Sequence, residues 1–167
     1  ALLPHTSLSL VDGSDKVCVD EVPCLGLQGR NKVLAALEGY KAIGIQAEEF
    51  MKMNSSTEGR AFVKQYDVIY IFHNQIDKTG DDKTSEDKVF EAVERELSFL
   101  MDVIKRIANM NGTNMIITSD HGFIYQHTTL DESDFTDVQV TGEVWKENRR
   151  FILGKNLNGN ASTRHFK

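Results

Sequence analysis

Two short apolar runs separated by a long amphipathic stretch constrain the fold of this chain more than any other feature. Residues 66–72 are almost all β-branched or aromatic, which is the composition of a strand buried on both faces. Residues 84–110 repeat apolar side chains at spacings of three and four, which predicts an amphipathic helix. Residues 114–118 form a second apolar run. The order strand, helix, strand predicts a βαβ unit with two parallel strands and a right-handed crossover.

The predicted helix has recognisable ends. Thr84 and Asp87 are spaced for an N-terminal capping box, and Gly112 is placed to take the left-handed conformation that commonly ends a helix. Its apolar stripe should pack on the sheet and consists of Phe90, Val93, Leu97, Leu100, Ile104 and Ile107.

The remainder of the chain suggests smaller elements around this unit. Residues 7–11 and 16–20 alternate apolar and polar side chains about Asp12-Gly13-Ser14-Asp15, which predicts a β-hairpin appendage. The other expected elements are a helix at 31–37, a strand at 42–46 and a helical stretch at 47–65 that is broken near 54–56. We therefore expect one α/β domain over residues 1–167, with a mainly parallel central sheet flanked by helices.

Parallel strands bring the loops at their carboxyl ends to one edge of the sheet, where open α/β sheets bind ligands. The loops concerned are residues 73–82 and 119–122, and both contain acids and an imidazole. In the second loop Asp120 is followed directly by His121, and one oxygen with one nitrogen ligand suits Zn²⁺ and tolerates Mn²⁺. A pair of such ions could polarise a phosphoryl group and activate a nucleophile.

Plainer interpretations of the same residues stay open. An Asp-His pair after a strand can be a loop acid beside a hydrogen-bonded histidine. The acids of residues 77–82 can form a solvated turn before a helix, whose positive end favours carboxylates. His73 alternates with apolar neighbours, which favours a structural role at the end of a strand over metal binding.

Composition bounds the compartment and the partners. Apolar residues make up 40% and charged residues 26% of the chain, so a folded core is expected. The net charge of −6 argues against nonspecific nucleic-acid binding by this piece. Cys18 and Cys24 form neither a disulfide framework nor a zinc pattern, and no apolar run is long enough to cross a bilayer. We therefore expect a cytoplasmic protein with no membrane partner.

The upstream motif and the Asp-His motif together resemble a known family. Residues 66–81 (YDVIYIFHNQIDKTGD), a long helix and residues 118–125 (TSDHGFIY) look like a PglZ domain of the alkaline phosphatase superfamily. PglZ domains occur in BREX phage-defence systems. Residues 1–5 (ALLPH) and 149–154 (RRFILG) resemble its type A members. The resemblance implies a single partial domain with an alkaline-phosphatase-like core, truncated at both ends.

The resemblance also implies a ligand set for two divalent metal ions, with Zn²⁺ expected first and Mn²⁺ second. Asp120 and His121 match the consecutive pair that ligates one metal, and Asp77 matches the first acid of an Asp-x-x-x-His pattern that ligates the other. This chain has Asp81 where that pattern has His. The nucleophile and a further Asp are expected upstream of Ala1, and a further His beyond the last residue.

The function implied is metal-dependent hydrolysis of a phosphoester by the full-length protein, with this fragment inactive alone. The expected partners are the phosphoester and other defence-system proteins. Two alternatives remain: a catalytically silent scaffold in the defence complex, and a metal-dependent nuclease. Nucleic acid is a possible ligand of the full-length protein only, since this piece is acidic.

Overall fold

A computed structural model describes residues 2–81, 89–122, 131–134, 138–148 and 151–166 of the chain. The chain divides into two compact units, one formed by Cys24–Thr118 and the other by Ala1–Pro23 together with Ser119–Lys167. The expectation of a single domain over residues 1–167 stays a prediction.

The described elements are strands and helices in a mixed α/β arrangement. The strands are β1 (Leu8–Leu10), β2 (Val17–Val19), β3 (Val22–Pro23), β4 (Ala42–Gln46), β5 (Val68–Phe72), β6 (Thr141–Glu147) and β7 (Ile152–Asn158). The α-helices are α1 (Gly26–Ala35), α2 (Ala47–Lys52), α3 (Glu58–Gln65), α4 (Gln75–Asp81) and α5 (Val89–Asn109). A short 3₁₀ turn spans Glu132–Asp134.

The sheet of the Cys24–Thr118 unit consists of β4 and β5, which pair in parallel. Their register runs from Ala42 opposite Val68 to Gln46 opposite Phe72. The strand expected at 42–46 is confirmed, and the run at 66–72 forms its strand from Val68 onward. The carboxyl ends of both strands therefore lie at the same edge, as the sequence predicts for parallel neighbours.

The expected second central strand at residues 114–118 is not formed. In the structure residues 112–119 have no regular secondary structure, and Ile116 and Ile117 are 91% and 63% exposed. An apolar run becomes a buried strand only where neighbouring strands and covering layers exist. Among the described residues no element supplies them for this run, so the described parallel sheet has two strands.

The long helix is confirmed in its existence and corrected in its details. Residues 82–88, with the predicted capping box, lie outside the described residues. At the C-terminal end Asn111 takes the left-handed conformation (φ 68°), one residue before the predicted Gly112. The Gly112 N–H donates to the Ile107 carbonyl at 2.9 Å, and a Cβ at Gly112 would lie 2.3 Å from the Ile107 side chain. Asn111 therefore makes the turn while Gly112 permits the close approach.

The buried line of α5 runs through Ala92, Glu96 and Val103. Leu97, which belongs to the predicted stripe, is 55% exposed. The other residues of the predicted stripe are half-buried, so the sequence differs from the structure at Leu97 and in taking the buried Glu96 for a surface residue. The core of this unit also contains Leu34, Phe50 and Met110, all with almost no exposed surface.

The second unit contains the predicted hairpin. Strands β1 and β2 pair antiparallel, with Leu8 opposite Val19 and Leu10 opposite Val17, around a turn in which Gly13 has φ 70°. The hairpin is confirmed, and β3 adds a third strand that the sequence did not suggest. Strands β6 and β7 form a separate antiparallel pair, also unexpected from the sequence.

Candidate functional site

The predicted ligand Asp77 lies on a helix, where the sequence suggested a loop. Helix α4 begins two residues after His73, and the Lys78 N–H donates to the Asn74 carbonyl at 3.0 Å. Asp77 is exposed in the first turn of this helix, where the helix dipole stabilises a carboxylate. Asp81 is the last residue of α4, one helical turn from Asp77, and its side chain lies outside the described part of the chain.

The Asp120-His121 pair is exposed in an irregular segment. The His121 backbone N–H donates to the Asp120 carboxylate at 3.0 Å, and His121 Nδ1 lies 3.1 Å from the Gly122 carbonyl oxygen. A carbonyl only accepts, so this contact requires a proton on Nδ1. Metal-binding histidines are commonly oriented in this way, by a second hydrogen bond from the other ring nitrogen.

The two predicted ligand pairs belong to different compact units. Asp77 and Asp81 lie in Cys24–Thr118, whereas Asp120 and His121 lie in the unit that contains Ser119–Lys167. Across the described ranges, no group of three or more His, Cys, Asp or Glu residues has the geometry of a metal site. A dinuclear centre built from all four residues therefore stays a prediction.

A buried charged cluster occupies the carboxyl edge of β4 and β5. His73 follows β5 directly, and its Nε2 lies 2.9 Å from a carboxylate oxygen of Glu96 on α5. The other Glu96 oxygen accepts from Arg95 Nε at 2.9 Å. On the opposite side of the imidazole, Nδ1 lies 3.7 Å from Glu48, the second residue after β4. The His73 ring also stacks on Phe99, with 5.0 Å between the ring centroids.

The sequence interpretation gave His73 a structural role and did not single out Glu48 or Glu96. Two signals could have found the cluster. Glu48 and His73 each follow one of two paired parallel strands at nearly the same position, and Glu96 lies four residues after Ala92 on the buried face of α5. A carboxylate in a helix face that is otherwise apolar needs a partner, because burying an unpaired charge is strongly unfavourable.

A second cation lies near the same edge. The guanidinium of Arg30 in α1 packs 4.4 Å from the centroid of the Phe72 ring, at the last residue of β5. Arg30 is partly buried, and within the described residues no carboxylate lies within ion-pair distance of it. By contrast, Arg60 and Arg106 donate to the backbone carbonyls of Asn109 and Met53.

Asn31, the next residue of α1, closes the outer edge of β4. Its side-chain amide donates to the Gly44 carbonyl at 3.0 Å and accepts from the Gly44 N–H at 2.6 Å. A Cβ at Gly44 would lie 2.8 Å from both the Asn31 amide oxygen and the Phe72 ring. Glycine is therefore required for this close approach.

These features define an α/β domain in which an acid, Glu48, and an imidazole, His73, follow two parallel strands. A family model described as the BREX system PglZ alkaline phosphatase-like domain matches residues 1–167. The chain belongs to this PglZ family.

Two curated proteins show the relationship at the level of sequence. The chain is 36% identical over 160 residues to the alkaline phosphatase-like protein BrxZ of Escherichia coli O9:H4 (strain HS), an alignment that covers 94% of this chain and 18% of that protein. It is 31% identical over 172 residues to the alkaline phosphatase-like protein PglZ of Bacillus cereus (strain H3081.97), covering 99% and 19% respectively. The chain thus spans less than a fifth of the length of these relatives. No solved structure shows a significant match.

Proposed function

We propose that the full-length protein hydrolyses a phosphoester at a dinuclear metal centre to which this chain contributes ligands, as a component of a BREX defence system. The observation that carries the proposal is membership of an alkaline phosphatase-like family over residues 1–167, with Asp120 and His121 adjacent in the chain. The names of both curated relatives support the same class of chemistry.

The donor atoms fit the proposed metals. Asp120 offers carboxylate oxygens, and the tautomer of His121 set by the Gly122 carbonyl offers Nε2. We assign this pair to one ion, and Asp77 with Asp81 to the other. Mixed oxygen and nitrogen ligands suit Zn²⁺ and also accept Mn²⁺. When bound, such ions supply Lewis acidity and a lowered pKa for a bound water or hydroxyl group.

The residues of this chain would hold and orient the two metal ions. The attacking hydroxyl would come from another part of the full-length protein. Helix α4 gives Asp77 a fixed backbone position two residues into its first turn. Its exposed carboxylate is reachable by an ion from solvent. Asp81 stands where the family pattern has His. Metal ions that prefer nitrogen ligands should therefore bind more weakly at the second site.

The position of Arg30 supports the proposal that the substrate is an anion. A phosphoester carries negative charge, and a guanidinium presents a planar fork of N–H donors that matches phosphoryl oxygens. Packing over Phe72 holds the Arg30 guanidinium at the carboxyl edge of β5. We propose that it contacts the phosphoryl group of the substrate.

We also propose that the sheet of β4 and β5 continues in the full-length protein, with residues 114–118 as a further parallel strand. The exposed Ile116 and Ile117 have the side chains of a buried strand. A strand there would bring Asp120 and His121 to the same carboxyl edge as Asp77.

The test is hydrolysis of a chromogenic phosphomonoester and a chromogenic phosphodiester by the full-length protein with Zn²⁺ or Mn²⁺. Asp120→Ala and Asp77→Ala are each expected to lower metal-dependent turnover by at least about 100-fold, because each removes a direct ligand. Asp102→Ala is the control, since Asp102 is an exposed acid of α5 that pairs with Lys105. No turnover from a folded protein with either metal would contradict the proposal.

A silent scaffold is the second candidate, and the observation that favours it is Asp81 in the position where the family pattern has His. A protein that binds its defence partners equally well with and without the Asp120→Ala change, and never turns over either ester, would be a scaffold. Preference for the diester would instead favour a nuclease.

A further inference from the structure

The charged cluster of His73, Glu48 and Glu96 joins three elements at one point. Gln46 and Phe72 are register partners at the ends of β4 and β5, and Glu48 and His73 follow them closely in α2 and beyond β5. Glu96 reaches the same point from α5. Only 11% of the His73 side chain and 8% of the Glu96 side chain are exposed, whereas Glu48 is 44% exposed.

The hydrogen-bonding capacity of a neutral imidazole does not satisfy this arrangement. A neutral ring has one N–H, and the 2.9 Å contact with the Glu96 carboxylate requires it on Nε2. The lone pair on Nδ1 then faces the Glu48 carboxylate at 3.7 Å, and Nδ1 is buried without a hydrogen-bond partner in the structure described. A buried acceptor opposite a carboxylate is unfavourable, since neither group can donate.

A second proton on His73 removes this conflict. The ring then donates from Nε2 to Glu96 and points an N–H from Nδ1 toward Glu48. The charges that face the ring are Glu48 from α2 and Glu96 and Arg95 from α5, and Phe99 covers it with an apolar face. The two ring nitrogens face different carboxylates, so one proton on each nitrogen satisfies both contacts.

We propose that His73 is a positioning residue which, when protonated on both nitrogens, ties Glu48 of α2 and Glu96 of α5 to the end of β5 and so fixes the start of α4. This inference rests on the proposed function, because α4 holds the metal ligand Asp77. His73 precedes α4 by two residues, and α4 begins with the turn closed between Lys78 and Asn74. Loss of the proton on Nδ1 weakens the contact between His73 and Glu48. The backbone position of Asp77 then becomes less fixed.

We call the contacts of His73 with Glu48 and Glu96 the clamp. Hydrogen exchange of the peptides that cover α2 and α4 in the full-length protein tests the clamp without relying on catalysis. In the wild type, protection corrected for intrinsic exchange rates should fall by about 10-fold from acidic to alkaline pH. Glu48→Gln should abolish this dependence and keep the protection, because an amide can accept from a charged ring and donate to a neutral one. Glu48→Ala should lower the protection at low pH.

Metal affinity then links the clamp to the site. The ratio of wild-type to His73→Gln affinity for Zn²⁺ should be about 10-fold at the acidic end of this range and fall toward one as the pH rises. A merely structural histidine would give a ratio that does not change with pH. Wild-type protection of α2 and α4 that is independent of pH, or identical in Glu48→Ala, would overturn the clamp even if the protein proves to be a phosphohydrolase. Conversely, a pH-dependent clamp in a protein without turnover would leave the clamp standing and sink the proposed function.

Discussion

Arg30 shows how a single side chain can be placed by one contact and used for another. Its guanidinium is fixed by the Phe72 ring, and across the described residues it has no carboxylate partner. A cation held in this way keeps its N–H donors available for an anion from solution, at little further loss of side-chain entropy.

Replacing Arg30 should therefore separate binding from chemistry. In the full-length protein, Arg30→Gln should raise KM for the phosphoester, and the inhibition constant for inorganic phosphate, by about 10-fold or more, as expected for losing a charged hydrogen bond. Arg60→Gln is the matched control, because Arg60 already donates to the Asn109 carbonyl. An unchanged phosphate inhibition constant in Arg30→Gln, accompanied by a lower melting temperature, would assign Arg30 a packing role only.

Asp20 holds the base of the hairpin through its charge. Hydrogen bonds from the Thr6 hydroxyl and from the Ser7 and Thr6 backbone N–H groups lower the pKa of the Asp20 carboxyl to about 2. A folded-state pKa below the unfolded value of about 3.9 stabilises the hairpin fully above about pH 4, and this contribution is lost as the pH falls toward about 2.

The consequence is a pH-dependent difference between the wild type and Asp20→Asn. The melting temperature of the variant should be lower at neutral pH, and the difference should shrink as the pH falls from about 4 to 2. Thr6→Val should lower the melting temperature of the wild type and have little effect in Asp20→Ala, because either change removes the contact between the Thr6 hydroxyl and the Asp20 carboxylate. Additive effects of the two changes would show that the contact is not formed.

At the scale of elements, β4 depends on the absence of a side chain at Gly44. Gly44→Ala would place a Cβ 2.8 Å from Asn31 and Phe72, so one of these must move. We expect a loss of about 1 to 3 kcal/mol in the local stability of β4, typical of overpacking. Hydrogen exchange of the β4 amides measures it, and Gly122→Ala is the control because nothing lies within 4 Å of a Cβ there. Equal protection of β4 in both variants would contradict this account.

The elements that the sequence predicted well are those stabilised by their own residues or by near neighbours. Strand 42–46, the break between α2 and α3, and the hairpin depend on apolar alternation and turn residues within a short stretch. The prediction of a strand at 114–118 was wrong because an apolar run indicates a segment that needs burial. It does not indicate whether partner strands are present. Strand β6 was missed because its sequence is mostly polar, with Val144 and Trp145 as its apolar residues. Strand β7 was missed because the apolar pair Ile152-Leu153 is followed by Gly154, Lys155 and Asn156.

The candidate site divides in the same way. Asp77, Asp120 and His121 were predicted from motifs that are local in sequence, and their role as metal ligands stays a prediction. Glu96 was missed because its role depends on His73, 23 residues away. Periodicity cannot distinguish a buried glutamate that contacts His73 and Arg95 from a surface glutamate at the margin of an apolar face. Contacts across the tertiary structure decide such cases.

At the scale of the whole molecule, the chain is two compact units and less than a fifth of the length of its curated relatives. None of the described helices is long and apolar enough to span a membrane. Other segments of the full-length protein would stabilise the fold by covering the exposed run at residues 114–118. Burying Ile116 and Ile117 would contribute about 1.5 to 3 kcal/mol for each side chain.

In the full-length protein, the amides of residues 114–118 should exchange as slowly as those of β4 and β5. Ile116→Lys should abolish this protection and reduce metal-dependent turnover, because a charge would enter the proposed sheet. Ile116→Val is the control, since it retains a β-branched apolar side chain. Fast exchange of this segment in the wild type would contradict a third parallel strand.

The side-chain amide of Asn31 affects how the edge of β4 can pair with other molecules before folding is complete. The free edge of a half-built sheet can recruit a strand from another molecule, which is a common start of aggregation. At Gly44 both hydrogen-bonding groups of the β4 backbone are already taken by Asn31, from a helix that the ribosome delivers first. A strand that approaches β4 at Gly44 therefore finds both backbone groups occupied, which disfavours pairing with another molecule at this position.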